Sequence, residues 1–343
     1  MPSLPFPKIK QLIDDGAAPG CAVVIDSPEG VQSFAYGHFA EAGSPQVSTH
    51  TSYDVASLTK LFTTAVILRL QEAGALSIDD RCGMYLENFQ ASDITLLHLL
   101  THRTGMEIHL REYRARYPAA EALRSALLHI QPPRHAGSSV WYSDLNFIYL
   151  GMIVEQATHT SLDEAFHLLF QELGLQETYT GPELSRLGIA TPPTEVVDGT
   201  VIQGVTHNET ARIFGGLSGN AGIFSSASDL ARFGVSWLDG RILPDPALRQ
   251  IVFSDHDTAG SEPQAIGWWL RYTLPDGTQH PTPGIFCHGG YNGAFLAIQP
   301  STNTVCALTC NRTYYGRDNL QHRLLWECLI DWMRSTAEPG HRA

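Results

Sequence analysis

Segments of strand character stand at both ends of this chain with a long helical stretch between them, and that order limits the possible folds more than any single motif does. Cys21-Ala22-Val23-Val24-Ile25 and Val31-Gln32-Ser33-Phe34-Ala35-Tyr36 flank the turn signal Ser27-Pro28-Glu29-Gly30, the pattern of a hairpin. Four further runs, at 266–272, 284–288, 294–298 and 304–309, read as strands near the other end. Helices are expected at 8–15, at 228–238 and, with an amphipathic pattern, at 319–333. In the middle, apolar residues at three- and four-residue spacing predict helices at 57–73, 94–102, 145–156 and 162–173. Residues 181–220 are rich in Gly, Pro and Thr with little periodicity, and a long ordered loop region is expected there. The architecture that follows is α/β (α+β): one antiparallel sheet flanked by helices from both chain ends, with a helical lobe inserted. At 343 residues, with about 150 per domain, two lobes are expected. The boundaries are 1–56 with 221–343 for a discontinuous sheet lobe and 57–220 for a mainly helical lobe, with the active site at their interface.

Composition narrows the function classes. Hydrophobic residues at 43% and charged residues at 17% place the chain among ordinary globular proteins. The 35 acidic residues outnumber the 22 basic ones for a net charge of -13, which argues against nucleic acid as a partner, because phosphate binding needs a basic face. Met1-Pro2-Ser3-Leu4-Pro5-Phe6-Pro7-Lys8 has three prolines and no long apolar core, so it does not read as a secretory signal. A cytoplasmic location is the resulting expectation. No apolar run reaches the roughly 20 residues needed to cross a bilayer, so no membrane span is expected. Cys21, Cys82, Cys287, Cys306, Cys310 and Cys328 are scattered without zinc-type pairs and read as buried free thiols. Nothing in the sequence points to a particular oligomeric state.

Tyr53-Asp54-Val55-Ala56-Ser57-Leu58-Thr59-Lys60 hands over to the apolar run Leu61-Phe62-Thr63-Thr64-Ala65-Val66-Ile67-Leu68. Residues three apart on a helix share a face, so Lys60 can reach the hydroxyl of Ser57. The helix start adds positive character that favours an oxyanion formed when Ser57 attacks a carbonyl. A serine here is also the ordinary helix N-cap, and Lys60 could equally be a first-turn surface lysine. Two distant segments weigh against those alternatives. Trp141-Tyr142-Ser143-Asp144-Leu145-Asn146 puts a phenol before a helix, where it could shuttle a proton or simply pack. Cys287-His288-Gly289-Gly290-Tyr291-Asn292-Gly293 ends an apolar strand in glycines that leave backbone N–H groups free for an oxyanion.

These three segments together resemble the signature of the serine β-lactamase and penicillin-binding-protein superfamily. The chain is most similar to the branch of class C β-lactamase-like esterases and peptidases. The resemblance extends through 94–106, through Gly219-Asn220-Ala221-Gly222-Ile223-Phe224-Ser225-Ser226 and the following helix, and through Leu308-Thr309-Cys310-Asn311-Arg312. It implies a β-lactamase-like two-lobed fold. It further implies Ser57 as acylated nucleophile, Lys60 as its hydrogen-bonded partner and Tyr142 as the general base that becomes the acid for the leaving group. The backbone N–H groups of Ser57 and Tyr291 would form the oxyanion hole, and Asp144, His288, Gly289 and Gly290 would contact substrate.

Two departures from the family pattern bear on chemistry. Asp144 stands where asparagine is usual, and a carboxylate there favours a protonated Lys60 over a free base. His288-Gly289-Gly290 stands where penicillin-active members carry lysine, a hydroxyl residue and glycine, so a less anionic substrate is expected. Asn220 also replaces a histidine expected in its segment. The function expected is therefore a serine hydrolase without metal or cofactor, acting on a small-molecule ester or amide, with carboxylesterase first. A D-amino-acid peptidase or weak β-lactamase is the alternative, and an acyltransferase or non-catalytic scaffold the contrasting class. His98 and His102, four apart, read as helix histidines rather than a zinc pair, and 216–220 is not a G-x-S-x-G elbow.

Overall fold

The computed structural model describes residues 3–256 and 262–337; Met1 and Pro2 of the amino-terminal run, and the parts of the expected sheet lobe at 257–261 and 338–343, lie outside the described residues. The hairpin forms as Gly20–Ser27 and Gly30–Gly37, with Cys21 opposite Tyr36. It joins strands from the far end in a five-stranded antiparallel sheet, ordered Phe286–Gly289, Phe295–Gln299, Thr304–Cys310, Gly20–Ser27, Gly30–Gly37. Side chains alternate across a strand. Cys21, Val23, Ile25, Phe295, Ala297, Cys306 and Leu308 therefore share one apolar cluster with residues of the terminal helices Phe6–Asp14 and Arg323–Ala337. Ala22, Val24, Leu296, Ile298, Val305 and Ala307 share the other with the helices Ala227–Leu238 and Thr59–Glu72. Both faces are covered over Gly20–Ser27 and the three strands from the far end, which is why those read as continuous apolar runs, whereas the edge strand Gly30–Gly37 is largely exposed.

The helix Thr59–Glu72 is buried on nearly all sides from Thr59 to Leu68 and packs against Asp144–Thr158 and Leu162–Leu173. Within that contact the Phe62 ring stacks on Phe233 at 4.0 Å and meets Phe170 edge-on at 5.7 Å. A small three-stranded sheet, with Ile223–Ser225 between Tyr53–Asp54 and Tyr179–Thr180, stitches three remote parts of the chain together just ahead of this helix.

Several expected elements differ. In 266–272 only Arg271–Thr273 is strand, paired with Gln279–Pro281 in a separate hairpin. Gly267 has a φ of 75°, which breaks the extended run, and buried Trp268 serves the core rather than a strand face. The expected helix at 94–102 is only Leu96–Leu100, capped by Thr95, because His102 adopts a φ of 55°. Residues 181–220 hold the short elements Gly181–Leu187, Glu195–Val197, Thr200–Ile202 and Glu209–Ile213, each too brief to show a period. The helix Pro246–Val252 was not expected at all. All six cysteines are buried and unpaired, as expected. No helix among the described residues is long and apolar enough to cross a membrane.

Phe62 is fully buried between two aromatic partners, so Phe62→Ala removes both contacts and leaves a cavity. A loss of about 3–5 kcal/mol is expected from such a truncation, read as a lowered midpoint in urea unfolding.

Candidate active site

Ser57 lies in the single 3-10 turn Ala56–Leu58 that leads into the helix Thr59–Glu72, and it caps nothing. The turn is fastened on both sides. Val55 N–H donates to Ile223 carbonyl at 3.0 Å, and Leu58 N–H to Val55 carbonyl at 3.1 Å. Just before the serine, Ala56 holds a φ of 51°, a left-handed conformation that costs a non-glycine residue on the order of 1 kcal/mol or more. The Asp54 carboxylate secures that conformation by accepting from Ala56 N–H at 2.9 Å.

Lys60 follows one turn later with its side chain fully buried. Its Nζ donates to Ser57 Oγ at 2.9 Å, to Asp144 Oδ1 at 2.8 Å and to the Asn220 carbonyl at 3.4 Å. Burial pulls the Lys60 amine down, but the Asp144 carboxylate, and after it Tyr142, outweigh that and hold it above its ordinary range. Burial likewise pushes Asp144 up, and Lys60 with Asn208 more than offsets it, so the carboxyl sits below its usual range. The resting pair is therefore an ammonium and a carboxylate. Asn208 Nδ2 completes the Asp144 shell at 3.1 Å.

Tyr142 stands beside this pair, its ring centroid 4.9 Å from Lys60 Nζ and its hydroxyl interacting with both Lys60 and Ser57. Although 42% of the residue is open to solvent, desolvation at the hydroxyl end raises the phenol above its ordinary range, with Lys60 opposing. The phenol is thus protonated at neutral pH. The segment is held by Thr101–Gly105: Trp141 N–H donates to His102 carbonyl at 2.8 Å, and His102 Nδ1 accepts from Ser143 N–H at 3.2 Å and faces Asn146 Nδ2 at 3.0 Å. Burial and Lys60 push the His102 imidazole down to about 3, so it stays neutral.

The strand end Phe286–Gly289 closes the far side. His288 is buried at 1% exposure, stacked on Trp269 at 4.1 Å and 6.0 Å from the Tyr142 ring. Burial, Lys60 and His102 hold it well below its ordinary range, so it is a neutral wall behind Tyr142. Gly289 lies on the Trp326 indole, and a Cβ on Gly290 would come within 2.4 Å of the Val55 carbonyl, so only glycine lets the strand end reach the nucleophile turn. Gly219 does the same elsewhere, since a Cβ there would meet the Phe147 carbonyl at 2.1 Å.

An open cavity of about 460 Å³ is lined by Ser57, Tyr142, Asp144, His207, Asn208 and Tyr291 together with Arg111, Arg114, Glu209 and Arg317. The structure thus brings together Ser57, Lys60, Tyr142, Asp144 and Tyr291, while His288, Gly289 and Gly290 are not on the cavity wall. Asp54, His207, Asn208 and the arginines were missed by sequence reasoning. Asp54 stood in the motif itself, three residues before Ser57, and a buried acid at a helix entrance could have been noted. His98 and His102 do not share a helix face, and among the described residues no group of three or more His, Cys, Asp or Glu is arranged to hold a metal.

A family model described as Beta-lactamase matches residues 7–328. Among curated proteins, a putative D-alanyl-D-alanine carboxypeptidase of Escherichia coli (strain K12) is 26% identical over 314 residues, covering 78% of this chain and 71% of its own length. An N-acetylmuramyl-L-alanine amidase of Bacillus subtilis (strain 168) is 26% identical over 367 residues, covering 90% of this chain and 81% of its own. In structure, a β-lactamase/D-alanine carboxypeptidase from Pseudomonas syringae superposes with a TM-score of 0.75 at 18% identity, over 97% of this chain and 98% of the other. A class C β-lactamase does so with a TM-score of 0.73 at 19% identity, over 97% of each. At these identities the superpositions establish the fold alone, a β-lactamase-like one.

Lys60→Met removes the cation and leaves Asp144 without its partner, so it is expected to destabilise the wild-type background more than the Asp144→Asn background. The double-mutant cycle, read from urea unfolding, should give a coupling of about 1–3 kcal/mol; a value near zero would mean the pair is not formed.

Proposed function

Because the chain belongs to the β-lactamase family of hydrolases, we propose that it is a serine hydrolase working through an acyl-enzyme on Ser57. The observation that carries this is Lys60 Nζ, at 2.9 Å from Ser57 Oγ and 2.8 Å from Asp144 Oδ1, inside a cavity wall. A charged, tethered lysine is not a free base. Tyr142, protonated at rest, instead accepts the Ser57 proton as it passes its own to the leaving group, so no proton is gained or lost. As the Oγ–carbon bond forms, the carbonyl π pair moves onto oxygen, and the backbone N–H groups of Ser57 and Tyr291 hold that oxyanion until the carbonyl re-forms and the bond to the leaving group breaks. Lys60 lowers the cost of negative charge on Oγ throughout. In the second half water attacks, its proton passes through Tyr142 to Ser57 Oγ, and the acyl group leaves as the acid.

For the substrate, an amide of a small carboxylate-bearing peptide is the first choice. The sequence favoured a less anionic ester because His288-Gly289-Gly290 lacks the family cation, but Arg111, Arg114 and Arg317 bring cations to the cavity from other elements. Two curated relatives are named as a carboxypeptidase and an amidase, which supports amide cleavage. Carboxylesterase activity is the second reading, supported by the neutral, buried His288. In this reading His288 backs Tyr142 from behind the wall, and Asp144 sets the charge of Lys60. The lobe boundaries at 56/57 and 220/221 belong to the proposal, as does a cytoplasmic location, for which the six buried unpaired thiols are the support.

Intact-mass measurement after treatment with a fluorophosphonate should show one adduct in wild type and none in Ser57→Ala; no wild-type adduct would sink the reading. Hydrolysis of D-alanyl p-nitroanilides faster than p-nitrophenyl esters, relative to the uncatalysed rates, would favour the amidase over the esterase. The charge assignment has its own test. Activity that needs protonated Lys60 is lost as pH rises through the Lys60 pKa, and Asp144 raises that pKa. Asp144→Asn should move the alkaline limb of kcat/KM towards acid by about 1–3 pH units; an unmoved limb would refute the assignment.

A further inference from the structure

The Asp54 carboxylate, only 4% exposed, takes three N–H donors, one from Ala56 in its own turn and two from the distant His207. Oδ1 accepts from Ala56 N–H at 2.9 Å, and Oδ2 from His207 N–H at 2.8 Å and His207 Nδ1 at 3.1 Å. The Asp54 carbonyl in turn accepts from Asn292 Nδ2 at 3.1 Å. Ala56 directly precedes Ser57, and Asn292 directly follows Tyr291. One residue therefore holds the backbone beside each of the two N–H groups named as oxyanion donors.

His207 extends the hold. Its ring lies flat on Tyr291, centroids 5.2 Å apart and planes at 6°, while the Arg312 guanidinium packs 4.4 Å from the same ring and donates from Nε to the Tyr291 carbonyl at 2.7 Å. Tyr291 is 40% exposed, and these contacts add to the backbone bonds of Gly290, Asn292 and Gly293 in fixing its orientation at the cavity. With Nδ1 on Asp54, the tautomer and ring plane of His207 are set by a carboxylate that is itself set by the nucleophile turn.

We propose that Asp54 and His207 form a positioning pair for the oxyanion hole, coupling the Ser57 turn to the Tyr291 strand end so that both N–H groups aim at one point. The pair touches no reacting atom in this account and acts through Ala56 and Tyr291. It rests on the acyl-enzyme reading above. A donor that is in place but turned away stabilises the transition state less while leaving ground-state binding nearly intact.

The test uses His207→Phe, which keeps a ring against Tyr291 and removes the bond to Asp54, and His207→Gln, which keeps a side-chain N–H for Asp54 and removes the ring. Each is measured for thermal midpoint, for kcat and KM on a p-nitrophenyl ester, and for inhibition by phenylboronic acid, which forms a tetrahedral adduct on an active serine. Both variants are expected to lose about 10- to 100-fold in kcat, with KM within about threefold, and to lose boronate affinity by a similar factor. A folded variant with wild-type kcat and boronate affinity overturns the proposal, as does a fall in kcat without a fall in boronate affinity. Should His207→Phe not fold, His207→Gln decides by the same comparison. A wild type with no Ser57 adduct would overturn the function and this inference together, whereas a wild-type adduct with unchanged variants overturns only this one.

Discussion

The charge on Lys60 governs the rest of the site. A fully buried ammonium is expensive unless every donor is met by an acceptor, and here the three acceptors come from three places in the chain: Ser57, Asp144 and the carbonyl of Asn220. The lysine therefore fixes more than a proton. It ties the start of its own helix to the start of Asp144–Thr158 and to the glycine-rich crossing at 219–222, where Thr63 Oγ1 also donates to the Gly219 carbonyl at 2.7 Å. Asparagine at 144 could accept the same hydrogen bond, but it would bring no negative charge to set against the burial of the amine.

The sheet supplies rigidity rather than chemistry. Because both of its faces are packed, the strand Phe286–Gly289 has little freedom to shift, and its end reaches the nucleophile turn at the Gly290–Val55 approach. The turn is strained at Ala56 and would relax if free. Val55, held by Ile223, and Ala56, held by Asp54, keep it from doing so. A strained loop between a packed sheet and a buried helix is a stable way to present a serine hydroxyl to solvent.

How much of this could be read from the sequence follows from the range of the interactions. The hairpin, the Ser57 to Lys60 spacing and the helix behind it were legible because each rests on contacts within a few residues. Tyr142 and Asp144 were legible by resemblance, in the right order and before a helix. His288 was assigned to substrate by resemblance, from its place in the third motif, whereas its side chain is buried and stacked on Trp269 beside the bridge of Trp269 to Cys287. The run at 266–272 looked like a strand because its apolar residues serve two different packings. The pairing of Asp54 with His207 could not be read, since 153 residues separate them and nothing around His207 points back to the Ser57 motif in which Asp54 stands.

The arginines at the cavity gather positive charge in a protein whose net charge is -13. Arg114 and Arg317 face Glu209 at 3.7 Å and 3.1 Å, and Arg317 also grips Glu195 at 2.9 Å, so much of their charge is already answered by the protein. Arg111 makes no ion pair or side-chain hydrogen bond to the described residues. A carboxylate entering the cavity would meet one unanswered guanidinium on the helix Leu110–Arg116, and would compete with Glu209 for a second. His288, held neutral by burial and lying off the cavity wall, adds no charge to that of the arginines.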